Sequence, residues 1–96
     1  MEIAYLRKVL GQFHWIAQVT YDSEKWGEDW TVDLQSYAMA PHYDIRGIGR
    51  GISYLAARDR AIKNSHHPES IWSRLFPELD QMVYEATKYQ VPEVPA

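Results

Sequence analysis

Two stretches of period-two alternation, set either side of one short polar connection, constrain the fold of this chain most. Trp15, Ala17, Val19 and Tyr21 lie on one side of the first stretch and Gln18 and Thr20 on the other, with Ile16 the misfit. In the second, Trp30, Val32 and Leu34 alternate with Thr31, Asp33 and Gln35. Successive strand side chains point to opposite faces, so the pattern predicts half-buried strands at 14–21 and 30–35. The connection Asp22-Ser-Glu-Lys-Trp-Gly-Glu-Asp29 is polar and contains Gly27, which reads as a hairpin loop. The apolar side of such a hairpin needs a cover, and the remaining segments must supply it.

Residues 2–11 place Ile3, Leu6, Val9 and Leu10 at helical spacing before Gly11, and this predicts a short N-terminal helix. Pro41 excludes a central strand at 38–42 and marks a turn or an edge. Tyr43–Ile48 reads as a third strand, with Tyr43 and Ile45 opposite Asp44 and Arg46. Gly47, Gly49 and Gly51 then form a flexible approach to a helix at about 52–64. Its buried side holds Tyr54, Ala57 and Ala61, and Ser53 suits its cap. Pro68 and Glu69 restart a helix, Pro77 breaks it, and Leu79, Met82, Val83 and Ala86 mark a last amphipathic helix. The expected architecture is α+β: α-β-β-β-α with a three-stranded antiparallel sheet, plus an additional C-terminal helical segment. Residues 1–90 form one domain in this reading, and 91–96 an extended or disordered tail.

Composition narrows the chemistry. None of the 96 residues is cysteine, which removes disulfides, thiolate catalysis and cysteine-type zinc sites. The N-terminus lacks the pattern of a signal peptide, and no apolar run is long enough to span a bilayer, so a cytoplasmic protein is expected. A net charge of -3 gives no global attraction to nucleic acid. That charge is unevenly spread. Residues 45–67 carry Arg46, Arg50, Arg58, Arg60 and Lys63 against Asp59 alone, so this window is +4 and the remainder -7. Either the five form a solvated helix face, or they form a patch for an acidic partner or for nucleic acid.

No catalytic set emerges. Gly47-Ile-Gly49-Arg-Gly51 fails the dinucleotide fingerprint, which needs glycine where Ile52 stands, and it lacks the lysine of a nucleotide P-loop. Gly51-Ile-Ser53-Tyr-Leu55 lacks the last glycine of a nucleophile elbow. His66 and His67 are adjacent and point apart, and His42 with Asp44 is an isolated pair, so no convergent metal-ligand set appears. The aromatics are more informative. Trp15 and Trp30 alternate correctly for a core, whereas Trp26 sits among charges in the hairpin loop. Ile71, Trp72, Leu75 and Phe76 make the next stretch apolar on more than one side, for packing on the domain or for a partner interface.

Residues 4–64 resemble a double-stranded-RNA-binding domain. The resemblance rests on Tyr5-Leu-Arg-Lys-Val-Leu10, Val19-Thr-Tyr21, Trp30-Thr-Val32-Asp-Leu34 and above all on Gly49-Arg-Gly51-Ile-Ser53, with Ala57 and Ala61 four and eight residues after the serine. It implies the α-β-β-β-α order. It also implies phosphate-gripping lysines after the serine, where this chain has Tyr54 and Leu55, and a histidine in the first hairpin loop, where this chain has Glu24, Glu28 and Asp29. Shape-based RNA recognition needs contacts spread over two grooves. The resemblance therefore implies the scaffold more than the activity. The expected function is a small non-enzymatic protein-interaction module that binds an acidic partner surface or self-associates. It needs no cofactor, small-molecule substrate or membrane. Trp26, Ile71, Trp72, Leu75 and Phe76 are its interface candidates. The alternatives are binding of structured nucleic acid through Arg46, Arg50, Arg58, Arg60 and Lys63, and an inhibitor of phage or mobile-element origin that binds a host complex.

Overall fold

A computed structural model describes residues 1–38 and 44–89. Four antiparallel strands form a meander in the order β1 (Glu2–Leu10), β2 (Phe13–Tyr21), β3 (Trp30–Ala38) and β4 (Asp44–Gly51). Three helices follow: α1 (Tyr54–Asn64), the short α2 (Glu69–Trp72), and, after a 3-10 turn at Ser73–Leu75, α3 (Phe76–Tyr89). The class is α+β. The expected three-stranded sheet and α-β-β-β-α order are incorrect, because the chain opens with a strand and the sheet has four. The turn expected around Pro41 and the tail 91–96 lie outside the described residues.

The N-terminal segment went astray because its apolar residues satisfy both periods. Ala4 and Leu6 are buried, Lys8 and Leu10 half-buried, and Tyr5, Arg7 and Val9 exposed, which is the alternation of a strand. An irregularity between Glu2 and Ala4 brings Ile3 and Ala4 to the buried side in succession and obscures that alternation. Such bulges place two residues of one strand against one of its partner. Gly11 does not end a helix. With φ 62 it opens the two-residue turn between Leu10 and Phe13, the place where a tight hairpin takes glycine.

All three helices cover the same face of the sheet. Trp15, Ala17 and Val19 from β2 and Val32 and Leu34 from β3 meet Ala57, Ala61, Trp72, Leu75, Leu79 and Val83 in one core. Trp15 and Trp30 are core residues, as their alternation predicts. The glycines are not a flexible approach to the helix, since Gly47, Gly49 and Gly51 lie within β4, on its buried side. A Cβ on Gly49 would stand 2.2 Å from the Ala57 carbonyl oxygen and 2.2 Å from the Ala61 nitrogen. This stripe lets α1 rest directly on the strand backbone, with its own alanines as the facing surface. Ser53 caps α1 as expected, its Oγ accepting from the Ala56 N–H at 3.1 Å. The C-terminal break falls at 73–75, so that Pro77 stands in the first turn of α3, where its missing N–H costs no helix bond.

Candidate functional site

Among the described residues, no helix covers the far face of the sheet. Register alignment sets its side chains in rows: Val9, His14, Tyr37 and Asp44; then Arg7, Ile16, Gln35 and Arg46; then Tyr5, Gln18, Asp33 and Ile48. His14 stacks on Tyr37 with ring centroids 4.9 Å apart. Glu2 accepts from Gln18 Nε2 at 3.0 Å and so joins this face. Its cations, Arg7, Arg46 and Arg50, are matched in number by Glu2, Asp33 and Asp44. This uncovered face thus has mixed polarity without a basic field.

Folding divides the basic window. Arg46 forks onto Asp33, with Nε and Nη2 at 3.2 and 2.8 Å from the two carboxylate oxygens. That hydrogen bond and charge raise the guanidinium pKa further. Such a bidentate pair fixes the side chain in place. Arg58 turns inward. Its Nη1 lies 2.8 Å from both Asp80 oxygens, and its guanidinium sits 4.3 Å from the centre of the Phe76 ring. Tyr54 also donates its hydroxyl to Asp80. Burial, and then Asp80, push the Tyr54 phenol well above its ordinary value. Burial pulls Arg58 down, and the hydrogen bond and charge of Asp80 more than reverse this. Tyr54, Arg58 and Asp80 therefore bolt α1 to α3, which withdraws Arg58 from the expected patch.

Arg50, Arg60 and Lys63 remain, all exposed. Arg50 lies on β4, which is an edge of the sheet, and Arg60 and Lys63 lie on the helix packed against that strand. Arg50 projects from the strand on the uncovered side. Arg60 reaches from α1 to the Arg50 carbonyl with Nη1 at 2.7 Å, and Asn64 reaches the Ile48 carbonyl with Nδ2 at 2.7 Å. Lys63 follows Arg60 by three residues and so shares its side of the helix. Edge strands present unpaired backbone groups that invite further strands, and covering them prevents this. Arg60 and Asn64 act in this way while leaving a cationic ridge outside.

Most interface candidates are spent on the domain itself. Trp72 is 0% exposed, stands edge-on to Trp15 at 5.5 Å, and donates from Nε1 to Ser65 Oγ at 3.0 Å. Leu75 and Phe76 are buried too, and Ile71 is half-buried against the same core. A partner surface built on these four is therefore set aside, since their apolar excess closes the sheet's covered face. Trp26 differs. It is 97% exposed at the tip of the β2–β3 loop. The loop is well organised: Asp22 N–H donates to the Asp29 carbonyl, Lys25 N–H to that of Asp22, and Glu28 N–H to that of Lys25. The Glu24 N–H donates to Asp22 Oδ1 at 3.0 Å. Gly27, at φ 72, takes the third position of the turn 25–28.

No group of three or more His, Asp or Glu that could hold a metal ion occurs among the described residues, and no helix there is long and apolar enough to cross a membrane. No protein-family model, no curated protein and no solved structure matches the chain.

Proposed function

We propose that the chain is a small protein-interaction module that docks an acidic partner surface on the ridge formed by Arg50, Arg60 and Lys63. The observation that carries this reading is the division of the basic window. Two of its five cations are already paired, Arg46 with Asp33 on the exposed face and Arg58 with Asp80 between α1 and α3, which leaves Arg50, Arg60 and Lys63. Three cations suit a cluster of carboxylates on a protein. They are few for a duplex, whose backbone is gripped by roughly 6–10 phosphate contacts in proteins with steep salt dependence. Tyr54 and Leu55 support the same choice: one is half-buried against the core and the other is apolar, at the positions where the resemblance implies phosphate-binding lysines. A cytoplasmic setting goes with this reading, supported by a chain that offers no cysteine to an oxidising compartment.

The test is a titration of the full chain with a labelled glutamate-rich peptide and, separately, with a short RNA duplex, each at low and moderate salt. The expected result is peptide binding that Arg50→Glu with Lys63→Glu abolishes, and no duplex binding of comparable strength. Tight duplex binding that collapses with salt overturns the proposal in favour of nucleic acid. Failure of the peptide to bind at low salt overturns the ridge as a docking surface.

A further inference from the structure

The β2–β3 loop and the Arg50 end of the ridge share one end of the sheet. Trp30 pairs with Gly51, and Thr31 with Arg50, so the loop ending at Asp29 emerges beside the segment that begins at Ile52. The loop carries Asp22, Glu24, Glu28 and Asp29 against Lys25, a charge of -3 around Trp26. The ridge carries three cations, with the exposed Asp59 on the same helix one turn before Lys63, a net charge of +2. Beside it, Ile52 is 74% exposed and Leu55 57% exposed. Trp26 does not fold back onto them, since nearly its whole surface meets solvent. One chain thus displays, at one end of its sheet, an aromatic anchor in an acidic collar and an apolar spot that follows Arg50 in the chain.

We propose that the acidic partner of the ridge is the β2–β3 loop of a second copy, in a two-fold dimer with Trp26 of each chain seated on Ile52 and Leu55 of the other. The proposal rests on the ridge reading above and names its occupant. A two-fold axis makes an interface in which one patch contacts another and is contacted in return. Loop and ridge on one chain supply both halves of the charge complementarity such an interface needs. Two complementary charge contacts form per dimer, and the arrangement closes on itself. The hydrogen-bonded loop holds its shape before association, which lowers the ordering cost of docking. Trp26 beside Arg50 also places a cation near an indole face, a favourable pairing.

The experiment is sedimentation velocity on the full chain over a concentration series at two salt concentrations. The expected result is a monomer–dimer equilibrium that weakens with salt. Trp26→Ala removes no core contact and is expected to raise the dimer Kd by about 30-fold or more, as for a tryptophan anchor. The charge swap is the stricter arm. Glu24→Lys with Glu28→Lys, and separately Arg50→Glu with Lys63→Glu, each give a monomer, whereas mixing the two variants restores a heterodimer. A chain monomeric throughout the series, a dimer indifferent to Trp26→Ala, or a mixture that stays monomeric each overturns the proposal. Peptide titration of the Trp26→Ala variant separates this inference from its parent. Peptide binding without a wild-type dimer overturns the dimer alone, and loss of both overturns the ridge reading as well.

Discussion

Gly49→Ala tests the direct seating of α1 on β4. The added Cβ would stand 2.2 Å from both the Ala57 carbonyl oxygen and the Ala61 nitrogen, and 2.7 Å from the Arg60 carbonyl carbon. Ordinary contacts between such atoms lie near 3.5 Å, so α1 would have to lift by more than an ångström. All three atoms belong to the helix backbone, and no rotamer change relieves them. Lifting α1 also strains the Tyr54, Arg58 and Asp80 tie to α3, and it withdraws Arg60 and Asn64 from the β4 carbonyls. Overpacking a core costs about 1–3 kcal/mol, and a backbone clash belongs at the upper end. The lower entropy of the unfolded alanine chain returns only about 0.4–1 kcal/mol. A net loss of about 2–3 kcal/mol is expected, a large part of the roughly 5–15 kcal/mol that holds a typical domain together. Urea denaturation followed by tryptophan fluorescence measures it. With a slope of about 1–2 kcal/mol/M, the midpoint should fall by more than about 1 M at unchanged slope. Gly11→Ala is the control, because a Cβ there meets nothing within 4 Å and the cost is only that of φ 62, about 1–2 kcal/mol. If Gly49→Ala unfolds at the wild-type midpoint, or costs less than Gly11→Ala, the direct seating of α1 on β4 is wrong.

Two further perturbations probe the tie between helices and the sheet edge. The Tyr54 phenol has its folded pKa raised above the unfolded value of 10.0, so its contribution is complete below pH 10 and is lost as pH rises above it, when the unfolded chain sheds a proton that the folded chain retains. Stability measured against pH should therefore fall more steeply above pH 10 in the wild type than in Tyr54→Phe, and parallel curves would refute a buried, Asp80-bound phenol. Asn64→Ala leaves the Ile48 carbonyl uncovered on the edge strand, at a cost of about 1 kcal/mol or less. The informative readout is light scattering over time at high concentration, where growth in the variant but not the wild type is expected, and identical traces would refute edge protection by α1.

What the sequence made legible followed the strength of each local period. Trp15 to Tyr21 and Trp30 to Gln35 obey one period only, and both strands, their faces and their tryptophans could be read directly. Ile3, Leu6, Val9 and Leu10 fit a helix and a strand alike, and the deciding facts are non-local: pairing with β2 and cover from α3. The glycines at 47, 49 and 51 carried a period-two signal of their own. Read as backbone freedom it suggests a loop, but beside alanines four residues apart on the following helix it specifies a strand and helix in close contact. The pairing of a glycine stripe with an alanine stripe was the available clue.

The candidate site was legible as a composition and illegible as an arrangement. Five cations in one window are visible in the chain, yet whether each is already paired depends on acids elsewhere in the sequence. Asp33 comes from a strand two elements upstream of Arg58's helix and takes Arg46, and Asp80 comes from α3 and takes Arg58. Conversely, the apolar excess of Ile71, Trp72, Leu75 and Phe76 read as surplus because the area of sheet to be covered was underestimated by one strand. With β1 added, the covered face widens and those four side chains are consumed in closing it. The same correction isolates Trp26. The core of the described residues is filled without it, the indole stands 97% exposed at the tip of a hydrogen-bonded acidic loop, and the Arg50 end of the cationic edge beside that loop is the complementary surface this chain itself provides.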